Sequence, residues 1–274
     1  MKASERDSLE ELTRRARGGE RAALEALIGR IADDVYGIAL RMTANVADAE
    51  DATQEILLKI ASRLGSFRGE SSISTWAYRV AVNHLLERRR SRVEALSLDF
   101  DRFGADLLEG LEPTPQPQEP ALAEEVKLGC TLAMLTCLDR PHRVAYLLGE
   151  VFDLPARSAA DVTQVDAAVH RQRLSRARRQ VEAFTESYCS LVNPDAPCAC
   201  DRRVARAQEL GRIKRGELAL AAHRRRELEA PVREMEQLHA AAAVMRSHPR
   251  YRAPESAVAL LREAFRSFDI EILR

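Results

Sequence analysis

The chain has 274 residues, 46% of them apolar, enough to bury a real core in two or three domains. Its 42 Lys and Arg balance 42 Asp and Glu, so the total charge identifies no partner. Basic residues nevertheless gather at 88–92, 171–179, 202–206 and 224–226, while acids dominate 94–125, a segregation that suits local patches for anionic partners. No apolar run approaches the ~20 residues that span a bilayer, and the opening MKASERDSLEELTRRARGGE carries no apolar signal core. The expectation is a cytoplasmic protein with no membrane insertion. Five cysteines, an odd number, argue against a disulfide framework in such a compartment. With 5% aromatic and 31% charged residues, the mixture of Ala, Leu, Arg and Glu favours helices, and an all-α fold is predicted.

Taken in order, Leu24, Leu27, Ile28, Ile31, Val35, Ile38 and Met42 recur at helical spacing, as do Ile56, Leu57, Ile60 and Leu64. Breaks fall at 43–46 and at 65–72, after which Ser74 or Thr75 offers an N-cap for a helix through Trp76, Val80 and Leu85 to about Arg92. Residues 94–121 are acidic and carry prolines 113, 115, 117 and 120, which reads as an extended, flexible linker. Helical periodicity returns near Leu122 and continues to about Phe184. A knot, CSLVNPDAPCAC, fills 189–200, and the tail to Arg274 is helical in pattern, with breaks near Pro231, Pro249 and Pro254. Four segments follow: a helical domain 1–93, the linker 94–121, a helix-turn-helix domain 122–188, and a Cys-containing helical extension 189–274.

Several groups of residues carry chemistry. Asp48, Glu50, Asp51 and Glu55, with Gln54, occupy the first turns of one helix, where carboxylates suit the macrodipole. Spacing alone fits simple capping and a solvated face as well as it fits a docking surface. Arg79, Asn83, Glu87 and Arg90 form one polar stripe, beside a Gly/Ser loop at Ser66–Ser74 suited to holding an unstacked base. Asn can read a base edge and Arg88, Arg89 and Arg90 can contact phosphates, whereas Trp76 suits a core anchor. Further on, Ala168, Arg171, Gln172, Ser175 and Arg179 share an arc of about 100°. Val169, Leu174, Ala177, Val181 and Phe184 lie opposite, with His170 turned towards them. An apolar back with a basic front is the layout of a helix that enters the major groove.

Two stretches resemble the extracytoplasmic-function sigma factors of the sigma-70 family. DAEDATQEILLKIASRLGSFRGESSISTWAYRVAVNHLLERRRSR, residues 48–92, resembles the family's second region through its AED..QE element, its F-R-G loop and its W-x-Y-R-x-A-x-N helix. LPARSAADVTQVDAAVHRQRLSRARRQ, residues 154–180, resembles the fourth region, although AADVTQVD lacks the usual Gly and Ser of the scaffold helix. The resemblance implies a region-2-like bundle and a region-4-like helix-turn-helix in a protein that directs core RNA polymerase to promoters, in a stress or signal response, without being an enzyme. It implies that Asp48, Glu50, Asp51, Gln54 and Glu55 dock on the polymerase. It assigns Phe67, Arg68, Trp76, Arg79, Asn83, Arg88, Arg89 and Arg90 to the −10 element. It assigns Ala168, Arg171, Gln172, Ser175, Arg176, Arg178 and Arg179 to the −35 element. Core polymerase and promoter DNA are the expected partners, with an anti-sigma factor or the C-terminal tail as the regulator.

Cys189, Cys198 and Cys200, spaced C-x8-C-x-C, are candidate ligands for zinc or another soft metal, with Asp201, one of His223, His239 and His248, or an exogenous thiol as a fourth donor. A redox thiol pair or plain packing explains them equally, and no cofactor is required by the resemblance. Cys130 and Cys137 read as small core residues on one helix. In the tail, Val232, Met235, Leu238 and Ala242 make an apolar stripe that must be buried against something: the two DNA-binding modules, the polymerase, or the core of the second module. The competing reading of the whole chain is a conventional helix-turn-helix regulator with a metal- or redox-sensing C-terminal segment.

Overall fold

Apolar residues at helical spacing draw the first three long helices together. In this computed structural model, which describes residues 3–112, 120–226, 240–259 and residue 263, they form α1 (Ala3–Arg17), α2 (Arg21–Thr43) and α3 (Val46–Arg63). All seven periodic positions of α2, from Leu24 to Met42, are buried. The α2 helix ends at Ala44 in a left-handed turn, and Asn45 then caps α3 by accepting the Asp48 N–H at 2.9 Å. Ser72, two or three residues before the expected cap, accepts the Thr75 N–H at 3.1 Å and opens α4 (Ile73–Glu87). That helix stops at Glu87, short of the expected Arg92, because Arg140 donates to the carbonyls of Leu86, Arg88 and Arg89 and satisfies its C-terminal end.

The expectation of an extended linker from 94 is corrected for its first half. Asp99 accepts the Arg102 N–H at 2.8 Å and caps α5 (Phe100–Leu108), whose Phe103 and Leu107 are buried. The rings of Phe100 and Phe103 pack on Phe184 with centroids 5.3 and 5.4 Å away. Three of the prolines, 113, 115 and 117, lie outside the described residues.

The second half of the chain comprises α6 (Pro120–Leu135), α7 (Arg140–Tyr146) continuing into a π-turn at Leu147–Val151, α8 (Ala156–Thr163) and α9 (Ala167–Tyr188). Short helices α10 (Val204–Glu209) and α11 (Ala240–Arg246) follow the cysteine knot. The α6 helix closes before Cys137, so Cys130 and Cys137 do not share a helix. Between α8 and α9, Gln164 adopts φ 52°, a left-handed backbone that favours glycine, and Asp166 accepts the Ala168 N–H at 2.8 Å as the next cap. The turn therefore forms with other residues in the places of the usual Gly and Ser.

One hydrophobic core runs through both halves, from Leu9 and Leu27 through Leu85, Leu132 and Val181 to Tyr251. Among the described residues there is no strand, and no helix is long and apolar enough to cross a membrane.

Candidate nucleic-acid interface

The acidic face of α3 is presented and internally braced at once. Asp51 and Glu55 are exposed, while Asp48, Glu50 and Gln54 are half-buried. Asp48 accepts the Arg92 N–H at 3.2 Å, and its carbonyl accepts from Arg88 at 3.2 Å. Asp51 lies 3.8 Å from Arg88, and the Glu55 carboxylate stands 3.1 Å from His84 Nε2. Lys59 Nζ sits 2.7 Å from the other ring nitrogen. Burial first, then the Lys59 charge, push the His84 pKa down.

On the adjoining loop and helix the predicted −10 residues divide. Arg68, Arg89 and Arg90 are exposed, and Asn83 and Arg79 are half-buried. The helix ends before Arg88, so the basic run leaves α4 as extended chain, and Arg90 is not on the helical stripe. Phe67 does not face solvent: it is 8% exposed, and its ring packs on Trp76 with centroids 5.6 Å apart. This pair anchors the loop on the bundle; it buries Phe67, against its expected exposure to DNA, while Trp76 stays half-buried. Asn83 meets the other module. Its side-chain amide donates to Gln164 Oε1 at 3.4 Å, across the place where α8 packs on α4.

In α9 the expected front is exposed: Ala168, Arg171, Gln172, Ser175, Arg176 and Arg179 all face solvent. Behind them Ala177, Val181 and Phe184 are buried. Two positions differ. Val169, placed on the apolar back, is 38% exposed. Arg178, placed on the front, instead pairs with the buried Glu150, with Nε 3.0 Å from Oε1, and fastens α9 to the π-turn. His170 is buried as expected, and burial, then Arg173, lower its pKa. The adjoining Gly149 permits the close crossing, since a Cβ there would come within 2.6 Å of Leu174 Cδ2.

The knot at 189–200 is tied by its backbone. Cys189 and Cys198 form a bridge in which Ser190 N donates to Cys198 O at 3.0 Å and Cys198 N donates to Tyr188 O at 3.1 Å. All five thiols are free. Burial pushes Cys198 up to about 11 and Cys200 up to about 12. Among the described residues no group of three or more His, Cys, Asp or Glu stands where it could hold a metal ion. His239 lies outside the described residues, and His248 is committed to Thr131, with Nε2 2.6 Å from Oγ1.

Comparison with known proteins bears on this geometry. Residues 27–94 match the family model described as Sigma-70 region 2. The chain is 28% identical over 180 residues to the RNA polymerase sigma-H factor of Pseudomonas aeruginosa, covering 63% of this chain and 91% of that one. It is 29% identical over 180 residues to the ECF RNA polymerase sigma factor SigE of Mycolicibacterium smegmatis, covering 63% and 66%. With the ECF RNA polymerase sigma-E factor of Escherichia coli it shares 28% over 180 residues, covering 62% and 91%. Residues 27–94 are thus a sigma-70 region 2, and the chain is similar to extracytoplasmic-function sigma factors. A solved structure of CnrH in complex with the cytosolic domain of CnrY is 18% identical, with a TM-score of 0.48, covering 65% of this chain and 97% of that one.

Sequence reasoning missed the polar centre that joins the two halves of the chain. The buried Glu94 carboxylate accepts from Arg140 Nε at 3.0 Å, Arg140 Nη2 at 2.8 Å, Arg143 Nη1 at 2.8 Å and Ser91 N at 2.9 Å. Arg143 also donates to the carbonyls of Met42, Thr136 and Leu138. Burial opposes ionisation of Glu94, but the hydrogen bonds from Arg140 and Ser91 and the charge of Arg143 outweigh it and hold the carboxyl at about 2. The only available signal was one acid within an otherwise basic and apolar stretch, SRVEAL.

Proposed function

We propose that this sigma factor binds core RNA polymerase through Asp48, Glu50, Asp51, Gln54 and Glu55 on α3. Asn83, Arg79 and the Ser66–Ser74 loop then take the melted −10 strand, with Arg68, Arg89 and Arg90 on its phosphates. The exposed front of α9, with Arg171, Gln172, Ser175, Arg176 and Arg179, reads the duplex −35 element from the major groove. The work is binding, with no bond made or broken by the protein. Joining two modest contacts in one chain raises the effective concentration of the second and makes the pair selective. Promoter DNA and core polymerase are the partners, and an anti-sigma protein would have to reach the same two modules. Supporting this reading above all is the basic front of α9, exposed in the same chain as the region-2 match at 27–94.

Equilibrium binding of labelled full-length protein to purified bacterial core polymerase tests the first step. Charge reversal by Glu50→Lys with Asp51→Lys should weaken binding at least tenfold while far-UV circular dichroism stays unchanged. Equal affinity for wild type and variant would remove α3 as the docking face.

A further inference from the structure

The C-terminal residues 240–257 enter the junction between the two modules. Tyr251 is buried, and its ring stands 4.9 Å from the Arg41 guanidinium on α2. Also 5.5 Å from the same guanidinium is Phe152, which follows the π-turn of the second module and packs on Tyr78 of α4. His248 and Tyr251 continue the contact: Tyr251 OH lies 3.1 Å from His248 Nδ1, and His248 reaches Thr131 of α6. Back towards α2, Ala253 N donates to Asp33 at 2.9 Å and Arg250 lies 3.4 Å from Asp34. Arg246 donates to the carbonyl of Glu150 and lies 3.4 Å from Asp153. A single stretch of chain thus ties α2 to α6 and to the π-turn.

The closure it holds does not suit simultaneous contact with two promoter elements. Elements named −10 and −35 are about 25 base pairs apart, or ~85 Å of duplex at ~3.4 Å per pair. Here the two modules touch, and Asn83 is engaged by Gln164 at 3.4 Å. The junction also contains its own opposing force. Arg41 is buried with its Nη1 donating to Gly37 O at 3.0 Å; its Nε has no hydrogen-bond partner and no carboxylate pairs with it among the described residues. A guanidinium held mainly by rings gives up hydration that opening returns. Closure opposed in this way is one that a partner with greater affinity for the open form can reverse.

We propose that residues 240–257 are an intramolecular brake: they hold the two DNA-binding modules against each other around Arg41, and core polymerase releases them. The proposal rests on the promoter-binding reading above.

The test uses the full-length chain as wild type, Tyr251→Ala, Arg250→Asp, and Arg250→Asp combined with Asp34→Arg. Each is measured for radius of gyration by solution X-ray scattering and for promoter-dependent transcripts at limiting protein with core polymerase. Tyr251→Ala should expand the protein and raise transcripts at least tenfold. The milder Arg250→Asp alters an exposed pair, so it tests the brake even where the Tyr251 variant unfolds. It should raise transcripts about threefold, and the swapped pair should restore the wild-type level. Wild type transcribing as well as Arg250→Asp, or no expansion in either single variant, overturns the brake alone. Expansion with no transcripts from any form overturns the promoter reading and the brake together.

Discussion

Replacing Glu94 by Gln tests the polar centre between the modules. The substitution keeps the side chain's shape and one acceptor oxygen. It removes the charge facing Arg140 and Arg143, whose side chains are 19% and 3% exposed, and turns an amide donor towards groups that themselves donate. Breaking a buried pair from one side costs about 3–5 kcal/mol, because the remaining charge is left without compensation. The titration gives a similar size by a separate route. A carboxyl moved from 4.5 to about 2 is worth about 3 kcal/mol at ~1.36 kcal/mol per unit. Since the folded pKa is the lower one, this stability is complete above pH 4.5 and is lost as the pH falls towards 2. Urea unfolding followed by circular dichroism should place Glu94→Gln about 3–5 kcal/mol below wild type at pH 7. At pH 3 the gap should narrow by about half. A gap under about 1 kcal/mol at pH 7, or one that does not change with pH, would refute the reasoning.

Other outcomes follow from single contacts. Gln164→Gly should stabilise the helix-turn-helix by about 0.5–1 kcal/mol in thermal unfolding, because Gly adopts the left-handed turn at φ 52° without a Cβ penalty; a loss of stability would contradict this. In titrations of duplex DNA against salt, Arg171→Ala and Arg179→Ala should each lower the slope of log K against log salt by about 0.9, as one phosphate contact does. Arg178→Ala should leave that slope unchanged and lower thermal stability instead, through the loss of its pair with Glu150. Iodoacetamide at pH 7.5 should modify Cys198 about a hundredfold and Cys200 about a thousandfold more slowly than an ordinary exposed thiol, because burial pushes their pKa values to about 11 and 12. Mass spectrometry of tryptic peptides reads this directly.

Legibility in the sequence followed the range of the interactions. The α2 stripe from Leu24 to Met42 and the α9 front from Arg171 to Arg179 were readable because helical period alone sorts buried from exposed positions. The α5 helix was hidden because acids surround Phe100, Phe103 and Leu107, three residues at i, i+3 and i+7 that have no meaning until Phe184 packs on the two rings. Phe67 and Arg178 were misplaced for a related reason. Each has the residue type expected at a DNA surface, and each is claimed by a distant partner, Trp76 at one site and Glu150 at the other. No period or motif marks Glu94, Arg140 and Arg143 as one unit, since 46 residues separate the first two. Of the apolar stripe expected in the tail, Val232, Met235 and Leu238 lie outside the described residues, while Ala242 is buried.

The central claim is that this chain selects promoters for RNA polymerase. Run-off transcription on genomic promoter fragments, with purified core polymerase and with or without the full-length protein, tests it most directly. Discrete transcripts should appear only when the protein is present and should be lost on Asn83→Ala. Absence of transcripts together with tight binding to duplex DNA in the absence of polymerase would contradict the claim and favour an ordinary helix-turn-helix regulator.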